Sequence, residues 1–311
     1  MTTSVLTLTK ELISLADRCS TLTGQATVVT HLQAHTMHKP KGIIALDLDG
    51  TLLNSKKELS AGNREALERA AEAGWEIVPT TGRFYGGMPD FIRELPFVHY
   101  AITINGAYVE EIYSAEMPYK QAIDIMKYLD ELPVIYDCYM NNDAFMTEAL
   151  KAKVDEIVEN PRIRKMFYDL RKPVPELKEF LENRGQDVQK IQFFTKDANL
   201  RLELLEELPR VFENIAVSSS SPQNIEINQK DATKGLALTA LADYLGVDRD
   251  HTIAMGDGLN DISMLETAGI GVAMANGCKE ALEAADWVTS HCDEDGVAKA
   301  IERFVLKTSI I

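Results

Sequence analysis

The chain has 311 residues, 45% hydrophobic and 26% charged, the profile of a soluble globular protein with room for two domains. A formal net charge of −16 argues against nucleic-acid binding, which needs a basic face, and no apolar run reaches membrane-spanning length. Cys19, Cys138, Cys278 and Cys292 are scattered with no C-x-x-C pair, which fits free thiols in a reducing cytoplasm.

Residues 1–38 do not read as a secretory signal, because Thr2, Thr3, Thr7 and Thr9 interrupt any hydrophobic stretch and Lys10, Glu11, Asp17 and Arg18 follow. Residues 6–15 read as a short amphipathic helix, and residues 25–38 carry little pattern. An apolar run at 43–46 predicts a buried strand that ends in Asp47-Leu48-Asp49-Gly50-Thr51. A helix over 64–73 follows, then strands at 75–80, ending in Thr81-Gly82-Arg83, and at 100–104, ending in the hairpin signal Asn105-Gly106. Between 115 and 221 the texture changes. Helical patterns at 119–132, 148–159, 175–184 and 198–212 are interleaved with a hairpin at 134–147 and strands at 188–195 and 215–219. This predicts a small antiparallel sheet with helices on one face, inserted into the rest, with Ser218 to Pro222 in the return linker. Strands at 252–255 and 270–274 resume the first pattern, and Lys234 opens a helix running to Leu245. Strands alternating with helices over 41–110 and 230–306 predict an α/β parallel sheet covered on both faces, with its site at the strand C-termini.

The chemistry lies at those C-termini. Asp47 and Asp49 are two carboxylates close enough to repel unless a cation sits between them, and carboxylate oxygens suit Mg2+. A carboxylate at a strand tip can attack phosphorus, and a second one can move protons. Gly256-Asp257-Gly258-Leu259-Asn260-Asp261 places a third carboxylate at another strand tip, with Asp261 four residues on to position Lys234 or a metal-bound water. Thr81 and Gly82 offer a hydroxyl and backbone N–H groups to phosphate oxygens, and Asn260 offers an amide. Lys234 stands at a helix N-terminus, where cations are disfavoured, so a functional reason is needed for it. Arg83 fits either a pocket charge or a solvated loop arginine.

In order, Asp47-Leu48-Asp49-Gly50-Thr51, Thr81-Gly82-Arg83, Asn105-Gly106-Ala107, Lys234-Gly235 and Gly256 to Asp261 closely resemble the haloacid dehalogenase (HAD) superfamily, and within it the Cof-type branch (class IIB, C2 cap). The resemblance covers residues 41–306. It implies a Rossmann-like core with a central parallel sheet in 39–114 and 222–311, an inserted α+β cap at 115–221, and an N-terminal extension, 1–38, that the family usually lacks. It also implies Asp47 as nucleophile and Asp49 as acid and base. Mg2+ would be held by Asp47, the backbone carbonyl of Asp49 and Asp257, with Asp261 beside them. Phosphate would be held by Thr81, Gly82, Lys234 and Asn260, with Arg83 and Asn105 at the pocket.

The expected activity is hydrolysis of a small cytoplasmic phosphomonoester of the sugar phosphate, pyridoxal phosphate or flavin-precursor type. A phosphosugar mutase on the same core is the enzymatic alternative. A non-catalytic, phosphometabolite-binding regulator would have lost a catalytic residue, and Asp47, Asp49, Lys234, Asp257 and Asp261 are all present. The expected partner is a small phosphate ester, with neither nucleic acid nor membrane, and the protein would be a cytoplasmic monomer or homodimer. Tyr136, Asp137, Tyr139 and Asn141 on the cap hairpin are candidates for reading the leaving group. Arg162, Arg164, Lys165, Arg171 and Lys172 form a basic cluster that is either a solvated face or partly turned toward an anionic substrate.

Overall fold

β1 (Gly42–Leu46) is buried along its whole length, as a strand covered on both faces must be. The computed structural model describes residues 39–306, so the expected helix at 6–15 and Cys19 lie outside the described residues. From β1 the chain turns into α1 (Ala61–Glu72), where the Ser60 side chain accepts a hydrogen bond from Asn63 N and caps the helix. It returns as β2 (Trp75–Pro79), parallel to β1. The expected strand at 100–104 is shorter. Only β3 (Ile102–Thr103) is extended, because Ile104 and Asn105 both turn into the left-handed region at φ 55° and 60°. β3 pairs antiparallel with β4 (Tyr108–Val109), and β4 with β5 (Tyr113–Ser114).

The inserted region follows. It holds α2 (Tyr119–Asp130), β6 (Ile135–Met140), β7 (Asp143–Thr147), α3 (Pro161–Leu170), β8 (Arg171–Val174), α4 (Leu177–Arg184), β9 (Lys190–Phe194), α5 (Ala198–Val211), β10 (Ile215–Ser218) and β11 (Asn224–Gln229). Its sheet order is β10-β11-β9-β6-β7-β8, antiparallel except for the parallel pair β7 and β8. The sheet therefore has more strands than expected. β11 belongs to it, so the segment from Ser218 to Pro222 links two cap strands instead of returning to the core. The helical pattern at 148–159 resolves into two single turns, Glu148–Lys151 and Val154–Ile157.

Side chains alternate across this sheet. Tyr136, Cys138, Met140, Ile191, Phe193, Ile225 and Ile227 join one apolar cluster with α2, α4 and α5. The intervening positions Asp137, Tyr139, Lys190, Gln192, Glu226 and Asn228 make a second face that is polar yet buried.

The chain then rejoins the first sheet through α6 (Lys234–Leu245), β12 (Thr252–Gly256), α7 (Ile262–Thr267), β13 (Ile270–Ala273), β14 (Trp287–Val288) and α8 (Gly296–Ile301). The order β14-β13-β12-β1-β2 is parallel throughout. Ile44 and Leu46 of β1 pack toward α1 and α8, while Ile43 and Ala45 pack toward α6 and α7, so the sheet is covered on both faces. β1 pairs with β2 on one side and with β12 on the other, and the chain runs from β1 through α1 to β2 but reaches β12 only after the inserted region. The crevice beyond the C-terminus of β1 is the switch point where open α/β sheets bind ligands.

Candidate active site

Asp47 is the first residue past β1, at that switch point. Lys234 Nζ donates to Asp47 Oδ1 and to Asp261 Oδ1, both at 2.6 Å, with the lysine fully buried. The other oxygen of Asp261 accepts from the backbone N–H groups of Asp257 and Gly258, each at 2.8 Å, which fixes the turn after β12. Asp257 Oδ1 accepts from the Thr51 hydroxyl at 2.7 Å. Gly50, at φ +103°, lets these two turns meet: a Cβ there would lie 2.5 Å from Asp257 Oδ2. Asn276 ties the same turn from another side, donating to the Gly50 carbonyl at 2.7 Å and accepting from Cys292 N.

Asp47, Asp257 and Asp261 thus bring carboxylate oxygens within 4.8 Å of one another. Burial, reinforced by Asp261 and Asp257, pushes the Asp47 carboxyl up to about 7 even though Lys234 opposes the rise. Burial also lifts Asp257 to about 6. Lys234 is held above its ordinary range, since Asp261 and Asp47 outweigh the burial that disfavours its charge. With all groups ionised, three carboxylates against one ammonium leave an excess of two negative charges. Hard oxygen donors and that excess fit a divalent cation.

Asp49 faces a different set of groups. Arg83 forks onto it, with Nε on Oδ2 and Nη2 on Oδ1 at 2.9 Å each, and Lys57 reaches Oδ1 at 3.0 Å. Burial works against the Asp49 charge, but Arg83 and Lys57 overcome it and hold the carboxyl below its usual range. Arg83 is therefore neither a phosphate-directed charge nor a free loop arginine in this arrangement.

The register Leu46↔Pro79 sets the Thr81-Gly82 turn alongside the turn that follows Asp47. Asn105 N donates to the Thr81 carbonyl at 3.1 Å, and the Asn105 side chain accepts from Asn260 Nδ2 at 3.2 Å. The turn carrying Asn105 presses on the start of α6. A Cβ on Gly106, at φ +91°, would lie 2.2 Å from the Thr233 carbonyl oxygen.

Sequence reasoning missed the cap contribution. Lys190 Nζ donates to the Gly82 carbonyl at 2.8 Å, and Glu226 Oε2 accepts from Asn105 Nδ2 at 2.7 Å. Of the hairpin candidates, Tyr136 points the wrong way: it lies in the apolar cluster and its hydroxyl donates to Asp130. Asp137 and Tyr139 lie on the polar face, and both are engaged by Arg171, through Nε at 2.7 Å and Nη2 at 3.1 Å. Asn141 is bonded to Gln186 at the hairpin tip. Within the basic cluster, Arg171 alone is buried. Arg162 and Lys172 are exposed, and Lys165 pairs with Asp169 on the surface of α3. The alternating Asn224-Ile225-Glu226-Ile227-Asn228 was a usable signal for β11.

Residues 44–301 match the haloacid dehalogenase-like hydrolase family. The chain belongs to that family. It is 32% identical over 265 residues to the 5-amino-6-(5-phospho-D-ribitylamino)uracil phosphatase YcsE of Bacillus subtilis, covering 85% of this chain and 96% of that protein. It is 27% identical over 263 residues to the pyridoxal phosphate phosphatase YbhA of Escherichia coli, covering 83% and 97%. Its fold is similar to that of the HAD subclass IIB sugar phosphatase BT4131, with a TM-score of 0.71 at 26% identity over 85% of this chain and 98% of that one. Like these members of the haloacid dehalogenase-like hydrolases, the protein is a phosphoric monoester hydrolase with an inserted α+β cap.

Proposed function

We propose that the protein is a Mg2+-dependent phosphatase of small cytoplasmic phosphomonoesters that works through a phosphorylated Asp47. The observation that carries this reading is the Lys234 ammonium shared by Asp47 and Asp261 in a pocket with more carboxylate than cation. Asp47 attacks phosphorus, the ester oxygen leaves, and water then cleaves the aspartyl-phosphate to release inorganic phosphate and restore the carboxylate. Lys234 neutralises charge on Asp47 and on the incoming phosphate. Asp49 protonates the leaving oxygen and later takes a proton from water. The grip of Arg83 and Lys57 favours its ionised form, which suits the base step. For the acid step Asp49 must first come free of Arg83.

Thr81, Gly82 and Asn260 hold phosphate oxygens, with Arg83 and Asn105 at the edge of the pocket. Asp47, Asp257 and the backbone carbonyl of Asp49 would hold Mg2+, with Asp261 positioning the loop beside them. The ion would supply positive charge to the phosphoryl oxygens. The cap, which we extend from residue 115 to residue 229, reads the leaving group. The relatives named above act on a flavin precursor, pyridoxal phosphate and sugar phosphates, so a metabolite of that size is the substrate class.

The test is phosphate release from p-nitrophenyl phosphate and a panel of phosphorylated metabolites. Activity should require Mg2+, disappear with EDTA, and fall by roughly 10³-fold or more in Asp47→Asn. Full turnover in that variant would rule out the covalent route. A dependence on added bisphosphate would favour the mutase.

A further inference from the structure

Two cap residues with no part in the chemistry above connect to nearly every group proposed to hold phosphate. Lys190, at the start of β9, and Glu226, on β11, lie 3.2 Å apart and are only 1% and 4% exposed. Lys190 Nζ also donates to the Gly82 carbonyl. The peptide unit that carries this carbonyl is planar, so fixing its oxygen also fixes the direction of the Arg83 N–H on the other side. That N–H donates to the Thr81 hydroxyl at 3.2 Å. Lys190 therefore sets the Thr81 hydroxyl through a single peptide plane. Glu226 acts on the other arm of the site. It accepts from Asn105 Nδ2, and Asn105 Oδ1 in turn accepts from Asn260. The second Glu226 oxygen is fixed by the Ser220 hydroxyl at 2.5 Å and Asn224 Nδ2 at 3.1 Å. The Lys190 ammonium lies 4.4 Å from the centre of the Tyr139 ring, which packs edge-on against Phe84 of the core.

Stability does not account for this pair, because buried ion pairs are often matched or bettered by apolar residues of similar size. An apolar side chain could not hold the Gly82 carbonyl or orient Asn105. We propose that Lys190 and Glu226 are positioning residues of the phosphate site, which make its geometry depend on the cap sheet being docked. This rests on the phosphatase reading only in naming phosphate as the ligand.

Binding of inorganic phosphate in the presence of Mg2+, measured by calorimetry, tests the proposal without using turnover. Lys190→Met should weaken phosphate binding by about tenfold or more, the usual effect of losing a hydrogen bond from a charged group. Lys190→Arg, which restores a cation and donors, should recover most of that loss. Glu226→Met removes the acceptor for Asn105 at similar volume, so it serves as the second variant if Lys190→Met does not fold. It should weaken binding in the same direction. Wild-type affinity in folded Lys190→Met or Glu226→Met overturns the proposal, as does a wild-type protein that binds no phosphate. A wild type that binds phosphate but does not hydrolyse p-nitrophenyl phosphate would sink the functional reading and leave this one standing.

Discussion

The strand tips of the core and the polar face of the cap sheet both bury charge, but they balance it differently. The Lys234 ammonium pairs with Asp47 and Asp261, and Asp257 adds a third carboxylate beside them with no cation of its own among the described residues. On the cap face, Arg171 meets Asp137 at 2.7 Å and Lys190 meets Glu226 at 3.2 Å, one cation to each carboxylate. Burying unmatched carboxylates is expensive unless something arrives to neutralise them. Matched pairs need no visitor, and they can hold neighbouring groups in place. The imbalance marks where a cation fits, and the balance marks where the scaffold is fixed.

The largest effect that could break this contrast is expected from Lys234→Met. It would leave the core carboxylates with no cation. Urea denaturation in EDTA should show a loss of about 3–5 kcal/mol, as for other buried pairs stripped of one partner. Added Mg2+ should restore part of it, because a ligand that binds the folded state stabilises it by mass action. An unchanged denaturation midpoint would mean that the core charge is already neutralised in another way. A smaller effect is expected in the cap. Arg171→Met strands Asp137 and should cost about 3 kcal/mol, while the double change Arg171→Met with Asp137→Leu should recover most of that. If the double variant is no better than the single one, the pair does more than balance itself.

The smallest effect concerns pH. Glu226 is held below its ordinary carboxylate value of 4.5 because Lys190, with hydrogen bonds from Ser220 and Asn105, outweighs its burial. Arg171 and Asp137 also face it across the sheet. Its folded value is depressed, so its contribution is fully present above about pH 4.5 and fades as the pH falls through the folded value. The stability gap between wild type and Glu226→Gln should therefore narrow in acid. A gap that stays constant from neutral pH into acid would show that Glu226 is held by packing alone.

Much of the core site was legible in the sequence because its chemistry comes in consecutive residues at strand ends, as in Asp47 to Thr51 and Gly256 to Asp261. Lys234 stood out for a different reason, as a cation at the wrong end of a helix. The cap was harder to read. Lys190 and Glu226 are 36 residues apart and meet only when β9 and β11 pair. On such strands a shift of one residue reverses the face, which is why Tyr136 and Asp137 have opposite fates. β11 was hidden by the Ser-Pro stretch before it and by polar positions that look solvent-facing but are buried. The strand at 100–104 was overestimated because Ile104, a β-branched residue, adopts φ 55°, where its N–H reaches the Arg83 carbonyl.

At Gly106 the chain passes so close to Thr233 that a single added carbon would lie 2.2 Å from its carbonyl oxygen. Only the hydrogen of a glycine fits between the turn bearing Asn105 and the first residues of the helix bearing Lys234. Any side chain at position 106 would have to push those two distant stretches of chain, and the groups they carry, apart.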